Sequence, residues 1–265
     1  QSNLTSNGVF IIPAPPYPER PSATQNFAVN SSIFTEWTFS FPGQWSATVG
    51  GSLNNDVFAT RNMLKANVLF DTTTLAKKSF GNVFDPRVSL SKTFVNGMMV
   101  FGSVSTGFAP PLLSQIIANN GTVDLALKPE KATQYEAGVQ GSWFRHHLTS
   151  QLTWFDLDNT DKLVSQTVAT VTSTINVGEQ KNQGAEFSLA WLAVDNKDAW
   201  LTSLRPWVTY TYTDAKYTSF KSDANNGATT VDFSGNQVAR VPKSMYNIGI
   251  DADSHAGFYV NGTYQ

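Results

Sequence analysis

A chain of 265 residues with a formal net charge of −2 lacks the basic balance that nucleic-acid binding requires, and we expect no nucleic-acid partner. Charged residues make up only 14% of the sequence, below the roughly 25% of soluble domains. Because cysteine is absent, disulfide scaffolds and thiolate metal sites are excluded.

The sequence has no apolar run near the roughly 18 residues that a transmembrane helix needs. Membrane strands leave no such run, because their side chains alternate between lipid and lumen, so a barrel stays open as an interpretation. The chain begins at Gln1 without a basic and then apolar leader. We expect it to be an excerpt of a longer protein.

Alternation of apolar and polar residues is the main structural pattern. Residues 1–24 contain closely spaced prolines, which a central strand does not accept, and they predict irregular structure. From Phe27 onward, a period of two predicts strands with one apolar and one polar face. The predicted strands cover residues 27–41, 45–53, 86–94, 98–108, 132–144, 147–155, 180–192, 205–213, 243–253 and 257–265.

The connections between these strands alternate in length. Tight turns are predicted at residues 42–44, 95–97, 145–146 and 254–256. Long connections are predicted at residues 55–85, 109–131, 156–178 and 216–241. The first long connection is expected to contain a small hairpin around residues 63–70. Outer-membrane barrels combine short periplasmic turns with long external loops, whereas a soluble sandwich has no reason to alternate in this way.

The pattern predicts an all-β fold, a fragment of a transmembrane antiparallel β-barrel. The alternative is a soluble propeller or large sandwich, but the polar face of the strands is too rich in Ser, Thr, Gln and Glu for a dry core. Lys92 is the one misfit on the apolar face, and we expect it to snorkel to an interface. Aromatic residues near strand ends, as in an interfacial girdle, are Trp37, Trp45, Trp143, Phe144, Trp154, Trp191 and Trp207.

Catalytic chemistry has little support in the sequence. Only three histidines are present, and His146-His147 falls in a predicted turn, where a solvated role is expected. Asp156, Asp158 and Asp161 could hold Ca²⁺ on a loop, although three acidic residues near a strand end are commonly just solvated. No Ser-His-Asp order, P-loop or zinc spacing occurs. We predict no enzymatic activity, no catalytic residue, no metal site and no cofactor.

A series of short motifs runs through the middle of the chain in a fixed order. It reads as a Gly-Phe strand end with prolines, then L-x-P-E, E-x-G, N-x-G and G-x-E. In these residues the sequence resembles the C-terminal half of the barrel of TonB-dependent outer-membrane receptors, over roughly residues 27–265. The motif residues, which we interpret as structural, are Gly107, Phe108, Pro110, Pro111, Leu127, Pro129, Glu130, Glu136, Gly138, Asn176, Gly178, Gly184 and Glu186.

The resemblance implies a barrel of 22 strands with an N-terminal plug and a TonB-contacting segment, both outside this chain. Residues 1–265 would then be part of a single barrel domain, with about nine strands before Gln1 and about three after Gln265. The implied location is the outer membrane of a Gram-negative bacterium. The implied partners are outer-membrane lipid, an iron-chelate ligand and, through the plug, TonB, with the receptor acting as a monomer.

The function implied by the resemblance is TonB-dependent uptake of a ferric siderophore. Haem, cobalamin or a glycan as ligand, or a passive porin-like barrel, remain as alternatives. Glu36, Glu136 and Glu186 are expected to face the plug or lumen water. The candidate ligand-binding residues, chosen at loop bases and on the upper inner wall, are Phe84, Phe108, Gln115, Tyr217 and Phe220.

Overall fold

A computed structural model describes residues 24–62, 64–65, 68–69, 75–116, 124–168, 170–176, 178–224 and 229–265. The predicted irregular segment lies outside these ranges, except for Thr24, which begins the first strand. Among the described residues, no helix is long and apolar enough to cross a membrane. The elements are β1 (Thr24–Phe41), β2 (Trp45–Asn62), β3 (Leu64–Lys65), β4 (Val68–Leu69), β5 (Leu75–Thr93), β6 (Met99–Ala109), α1 (Leu113–Ile116), β7 (Glu130–Trp143), β8 (Leu148–Thr160), β9 (Leu163–Val168), β10 (Val171–Asn176), β11 (Glu179–Trp191), β12 (Val194–Asp195), β13 (Leu201–Ser219), β14 (Lys221–Ala224), β15 (Thr229–Asp232), β16 (Ser244–Ser254) and β17 (Tyr259–Tyr264).

Ten strands form one antiparallel sheet in the order β1-β2-β5-β6-β7-β8-β11-β13-β16-β17, and the short β12 pairs with β13. This confirms the prediction of about ten antiparallel strands. Within the described residues, β1 and β17 each have one edge without a partner strand, so the sheet is open. Three hairpins, β3–β4, β9–β10 and β14–β15, lie in connections that were predicted to be long.

The short and long connections alternate as predicted, but the strands extend further into the long ones. Arg61 of β2 pairs with Leu75 of β5, inside the predicted connection at residues 55–85, and β13 continues to Ser219. Period-two alternation does not reveal these extensions, because apolar residues fall on both faces there, as the neighbours Val57 and Phe58 do on β2. We call the end of the sheet with the turn at residues 42–44 the turn end, and the opposite end the loop end.

Each strand divides its side chains between two faces. Trp37 pairs with Val49, and Val49 with Val88, on what we call the apolar face; the polar face is the one that carries Glu36. Large apolar side chains on the apolar face are exposed, and Trp37 keeps 65% of its surface accessible. A continuous exposed apolar surface of this kind indicates contact with lipid or with another apolar surface.

The register is sheared across the sheet. One line of paired residues runs from Trp45 on β2 through Val100 and Leu152 to Tyr246 on β16. Trp45 is the first residue of β2 at the turn end, whereas Tyr246 lies near the start of β16 at the loop end. A paired line crosses from one end of a sheet to the other only when the strands tilt, as they do in a barrel.

Candidate functional site

The polar face carries a groove beside the loop end of β6. It has a volume of about 520 Å³ and is bordered by Glu36, Asn54, Asp85 and Arg87. The Asn54 amide donates hydrogen bonds to Oδ2 of Asp85 (2.8 Å) and to Oγ of Ser52 (2.9 Å), and so fixes the carboxylate. A guanidinium group, carboxylates and an amide side by side can bind polar ligand atoms of either charge.

A small hydrophobic nucleus lies at the loop end. Phe80, Ile116 and Leu127 retain 5%, 2% and 3% of their surface accessible, and Phe58 and Leu163 pack against them. The rings of Phe58 and Phe80 meet edge to face, with centroids 5.9 Å apart. The sequence pattern does not predict this nucleus, since it places residues 55–85 and 109–131 in long connections. The nucleus holds α1 and the segment before β7 against the sheet.

Three of the motif residues form a clamp around this nucleus. The Glu130 carboxylate accepts a hydrogen bond from the Leu163 backbone N–H (2.7 Å). The Asn176 side chain accepts from the Lys128 N–H (2.7 Å) and donates to the carbonyl oxygens of Lys128 (2.9 Å) and Asp161 (2.7 Å). Leu127 supplies the buried apolar anchor beside them. The clamp, Leu127, Glu130 and Asn176, therefore joins two connections of the loop end, the one between β6 and β7 and the one between β8 and β11.

Two motif glycines lie beneath aromatic rings on the polar face. Gly138 pairs with Phe101, and Gly184 pairs with Phe155. A Cβ at Gly138 would lie 2.5 Å from Cζ of Phe101, and one at Gly184 would lie 2.6 Å from Cζ of Phe155. Because real Cβ atoms do not approach so closely, each ring requires the glycine beneath it.

Trp207 forms a third pair of this kind, above Gly249 of β16. Its other partner, Ala190, also lies on the polar face. The expectation that Trp207 belongs to an interfacial girdle is therefore wrong, because its position in the alternation of β13 directs it to the opposite face. The alternation of the sequence indicates the same face, since Trp207 is out of phase with the apolar residues Val208, Tyr210 and Tyr212 of β13 by one position.

The remaining motif residues differ in their surroundings. Glu136 on the polar face accepts hydrogen bonds from Ser103 Oγ (3.3 Å) and Gln134 Nε2 (2.5 Å), while Glu186 lies exposed on the same face opposite Thr153. Gly178 has φ of 87°, a conformation that glycine tolerates best. The other motif positions lie close to the clamp or at the end of β6, and they are Gly107, Phe108, Pro110, the fully buried Pro111 and Pro129.

Two of the candidate ligand residues come together in an aromatic cluster at the loop end. Tyr217, which pairs with Gln180 on the polar face, lies with its ring centroid 4.8 Å from that of Phe220. A third ring, Phe233, lies 5.3 Å beyond Phe220. The Phe233 N–H donates to the Phe220 carbonyl (2.8 Å), which closes the β14–β15 hairpin over the cluster. Sequence analysis missed Phe233, since pairing across this hairpin brings it to Phe220.

The other three candidates are placed differently from what we expected. Phe84 pairs with Leu53 on the apolar face and is 63% exposed, so the expectation of an inner-wall position is wrong. Phe108 has the apolar-face parity of Val104 but borders the groove at the strand end. The Gln115 side chain forms a hydrogen bond within its own segment: its oxygen accepts from the Leu112 N–H (2.7 Å) at the start of α1.

Two of the three acidic residues considered for Ca²⁺, Asp156 and Asp158, form ion pairs with a lysine. Lys181 Nζ lies 3.0 Å from Oδ2 of Asp156 and 3.6 Å from Oδ1 of Asp158. Asp156 also accepts a hydrogen bond from Gln183 Nε2 (2.8 Å). Over the part of the chain that the structure describes, no group of three or more His, Asp or Glu side chains is arranged to hold a metal ion.

Comparisons with known proteins agree with this architecture. Residues 2–265 match the family described as TonB dependent receptor-like, beta-barrel. The chain is 27% identical over 168 residues to the ferrichrome outer membrane transporter/phage receptor of Escherichia coli (strain K12), a match covering 63% of this chain and 19% of that protein. The family and this relative are receptors and transporters rather than enzymes.

Among solved structures, the siderophore receptor PiuA from Acinetobacter baumannii superposes with a TM-score of 0.67 at 17% identity, covering 91% of this chain and 36% of that one. The copper transporter OprC superposes with a TM-score of 0.61 at 13% identity, covering 90% and 34%. At 17% and 13% identity, these similarities establish a shared fold and nothing further. The chain spans about a fifth of the curated relative and about a third of each structure.

Proposed function

The chain belongs to the TonB-dependent receptor-like β-barrel family, and on this premise we propose that it forms part of a receptor for TonB-dependent uptake of a ferric siderophore. The observation that carries the proposal is the family match over residues 2–265. The open tilted sheet, with one exposed apolar face and one polar face, supports it. We propose that residues 1–265 are part of one barrel domain in the outer membrane of a Gram-negative bacterium.

The two free edges of the sheet support the presence of further strands in the working receptor. Unpaired backbone groups at β1 and β17 would cost several kcal/mol each in hydrocarbon, and we propose that other strands pair with these two edges in the working receptor. A barrel of 22 strands has a lumen wide enough to need a plug. We propose that a plug fills this lumen and makes the contact with TonB, and that the receptor is monomeric.

Ligand capture is assigned to the loop end of the polar face. A flat iron chelate can stack on the rings of Tyr217, Phe220 and Phe233. The groove with Glu36 and Arg87 can hydrogen-bond the polar rim of such a ligand deeper in the lumen. We propose that TonB then pulls on the plug and opens a path past the polar face of the sheet. This movement is the energy-dependent step of uptake.

The test is uptake of radioactive iron chelates by cells that carry or lack the full-length gene, with and without a protonophore. We expect deletion to abolish uptake of one chelate class, and the protonophore to abolish it equally. Unchanged uptake of every iron chelate would contradict the siderophore assignment and direct the test to haem, cobalamin and glycans. Uptake that persists without the proton gradient would contradict TonB dependence and favour a passive barrel.

A further inference from the structure

The groove on the polar face has a glycine at its floor. Gly50 of β2 pairs with Glu36 of β1 on one side and with Arg87 of β5 on the other. A Cβ at Gly50 would lie 2.8 Å from the Thr35 carbonyl oxygen and 3.3 Å from the Cβ of Glu36. No side chain can occupy this position unless β1 shifts, so Glu36 and Arg87 border a floor without a side chain.

The two charges beside this floor have opposite signs and do not pair with each other. Each paired step across an antiparallel sheet is about 5 Å, so the Cα atoms of Glu36 and Arg87 stand about 10 Å apart. None of the ion pairs found in the described ranges involves either residue. Both border the same groove of about 520 Å³. The carboxylate and the guanidinium are therefore each able to bind a charged group of a ligand in this groove.

The next row of residues toward the loop end completes the groove. Phe34 pairs with Ser52, and Ser52 pairs with Asp85. Oδ2 of Asp85 accepts a hydrogen bond from the Asn54 amide (2.8 Å), so this carboxylate already has a partner within the protein. Phe34 borders the groove and is 80% exposed, although it lies on the polar face. Its ring offers an apolar contact beside the two unpaired charges.

We propose that this groove binds a zwitterionic amino-acid group, an ammonium beside a carboxylate, on the iron chelate that the receptor imports. Glu36 accepts hydrogen bonds from the ammonium, and Arg87 donates hydrogen bonds to the carboxylate. Phe34 packs against the adjoining part of the chelate. The inference rests on the proposed function and specifies the chemistry of its ligand.

The charge of the polar face argues against a ligand group that is only anionic. The register places further carboxylates on this face, among them Asp56, Glu136, Glu186 and Asp251, against Lys78 and Arg205 as further cations. A surplus of carboxylates repels an anion that has no ammonium beside it. A zwitterion adds no net charge, and it supplies a partner of the correct sign for Glu36 and for Arg87.

The test measures binding of L-phenylalanine to the full-length receptor in an uncharged maltoside detergent by saturation-transfer NMR. N-acetyl-phenylalanine lacks the cation and phenylalanine amide lacks the anion, so each blocked form presents one charge to the groove. We expect L-phenylalanine to bind about ten-fold more tightly than either blocked form, because a missing charge leaves one protein group without its partner. Equal binding of the three compounds would overturn the proposal, as would no binding of L-phenylalanine because a plug segment fills the groove.

Two substitutions separate the two charges of the groove. Glu36→Gln should abolish the preference for L-phenylalanine over the N-acetyl form and keep the preference over the amide. Arg87→Gln should do the reverse, because it removes only the recognition of the carboxylate. Arg205→Gln removes a polar-face cation that pairs with Asp251 near the turn end, and this matched control should keep both preferences. Loss of both preferences in either groove variant would overturn the assignment of one ligand charge to each residue.

Uptake distinguishes this inference from the function on which it rests. Acetylation of the free amine of the imported chelate should raise the KM of uptake about ten-fold in the parent receptor and leave it unchanged in Glu36→Gln. An imported iron chelate without an amino-acid group, or one whose acetylation has no effect, would overturn the inference and leave the receptor function intact. If no iron chelate is taken up, the proposed function fails, and with it the assignment of the amino-acid group to an iron chelate. Heat-modifiable migration on gels reports whether each variant has folded.

Discussion

The two ends of the sheet achieve stability by different means. At the loop end, Ile116 and Leu127 are buried against the sheet and side-chain hydrogen bonds join the connections. At the turn end, Phe144 and Val95 remain exposed and four of the connections are tight turns, while residues 192–200, with the short β12, join β11 to β13. Side chains at the loop end are stabilised by other parts of the protein, whereas those at the turn end depend on what surrounds the barrel. The cost of a substitution should therefore depend on the end at which it is made.

The largest effect is expected from a substitution on the polar face between the two ends. Gly184→Val places a Cβ against the ring of Phe155, 2.6 Å from Cζ, and against the backbone carbonyl of Tyr212. The carbonyl cannot move without breaking the pairing of β11 with β13, so we expect a loss of folded protein equivalent to more than about 3 kcal/mol. The amount of folded protein is measured by heat-modifiable migration of outer-membrane fractions on gels. Gly107→Ala is the control, because nothing lies within 4 Å of its Cβ position.

A smaller effect is expected from emptying the loop-end nucleus. Leu127→Ala removes a side chain that is only 3% exposed, and it should lower the free energy of unfolding by about 2–5 kcal/mol. Val95→Ala, at a turn-end position that is 97% exposed, should change it by less than about 0.5 kcal/mol. Urea unfolding of the full-length receptor in detergent compares the two. Similar changes in the free energy of unfolding for both variants would mean that side chains at the loop end are no more stabilised by the protein than those at the turn end.

The aromatic cluster tests the functional side of the comparison. Phe233→Ala removes the outer ring of the cluster, and we expect ligand affinity to fall about three- to ten-fold through the loss of one stacking contact. Phe258→Ala, which removes a ring that is 72% exposed at the turn end, should leave affinity unchanged. Titration of the bound chelate by fluorescence quenching measures both. An unchanged affinity in Phe233→Ala would mean that the aromatic cluster stabilises the hairpin and does not contact the ligand.

The smallest effect is a pH dependence confined to the β14–β15 hairpin. Hydrogen bonds from the hydroxyl and N–H of Ser234 (N–H at 2.9 Å), with Lys221 nearby, lower the pKa of Asp232 below its usual 3.8. Since the folded pKa is the lower one, this stabilisation is complete above about pH 3.8 and is lost as the pH falls through the folded value. Hairpin amide exchange should therefore be constant from pH 5 to 7, after correction for intrinsic rates.

Below pH 3.8 the protection of the hairpin should decline in the parent protein, and Asp232→Asn should remove that decline. A parent whose hairpin protection changes between pH 5 and 7 would show that another group controls it. The turn at residues 42–44, whose Gly43 carbonyl accepts a hydrogen bond from Lys92, provides an internal reference at the other end of the sheet.

The sequence by itself determined the ten strands, their antiparallel order and the alternation of connection lengths. Period-two alternation is local, and it appears wherever one face meets apolar surroundings, as at Trp37 and Val49. The motif residues also marked the segments that meet at the loop end, although not how they meet. Where apolar residues fall on both faces, as at Val57 and Phe58 of β2, the pattern has no contrast and predicts a loop instead of a strand.

Only the tertiary structure decided which residues from distant segments come together. The clamp joins Glu130 to Leu163 and Asn176 to Lys128, and the aromatic cluster adds Phe233 to two predicted rings. The register also removed Phe84 from the polar face, since its pairing with Leu53 fixes its side. These contacts depend on strand shear and on how long connections fold back. Both are properties of pairing between segments, and no local pattern in a single strand encodes them.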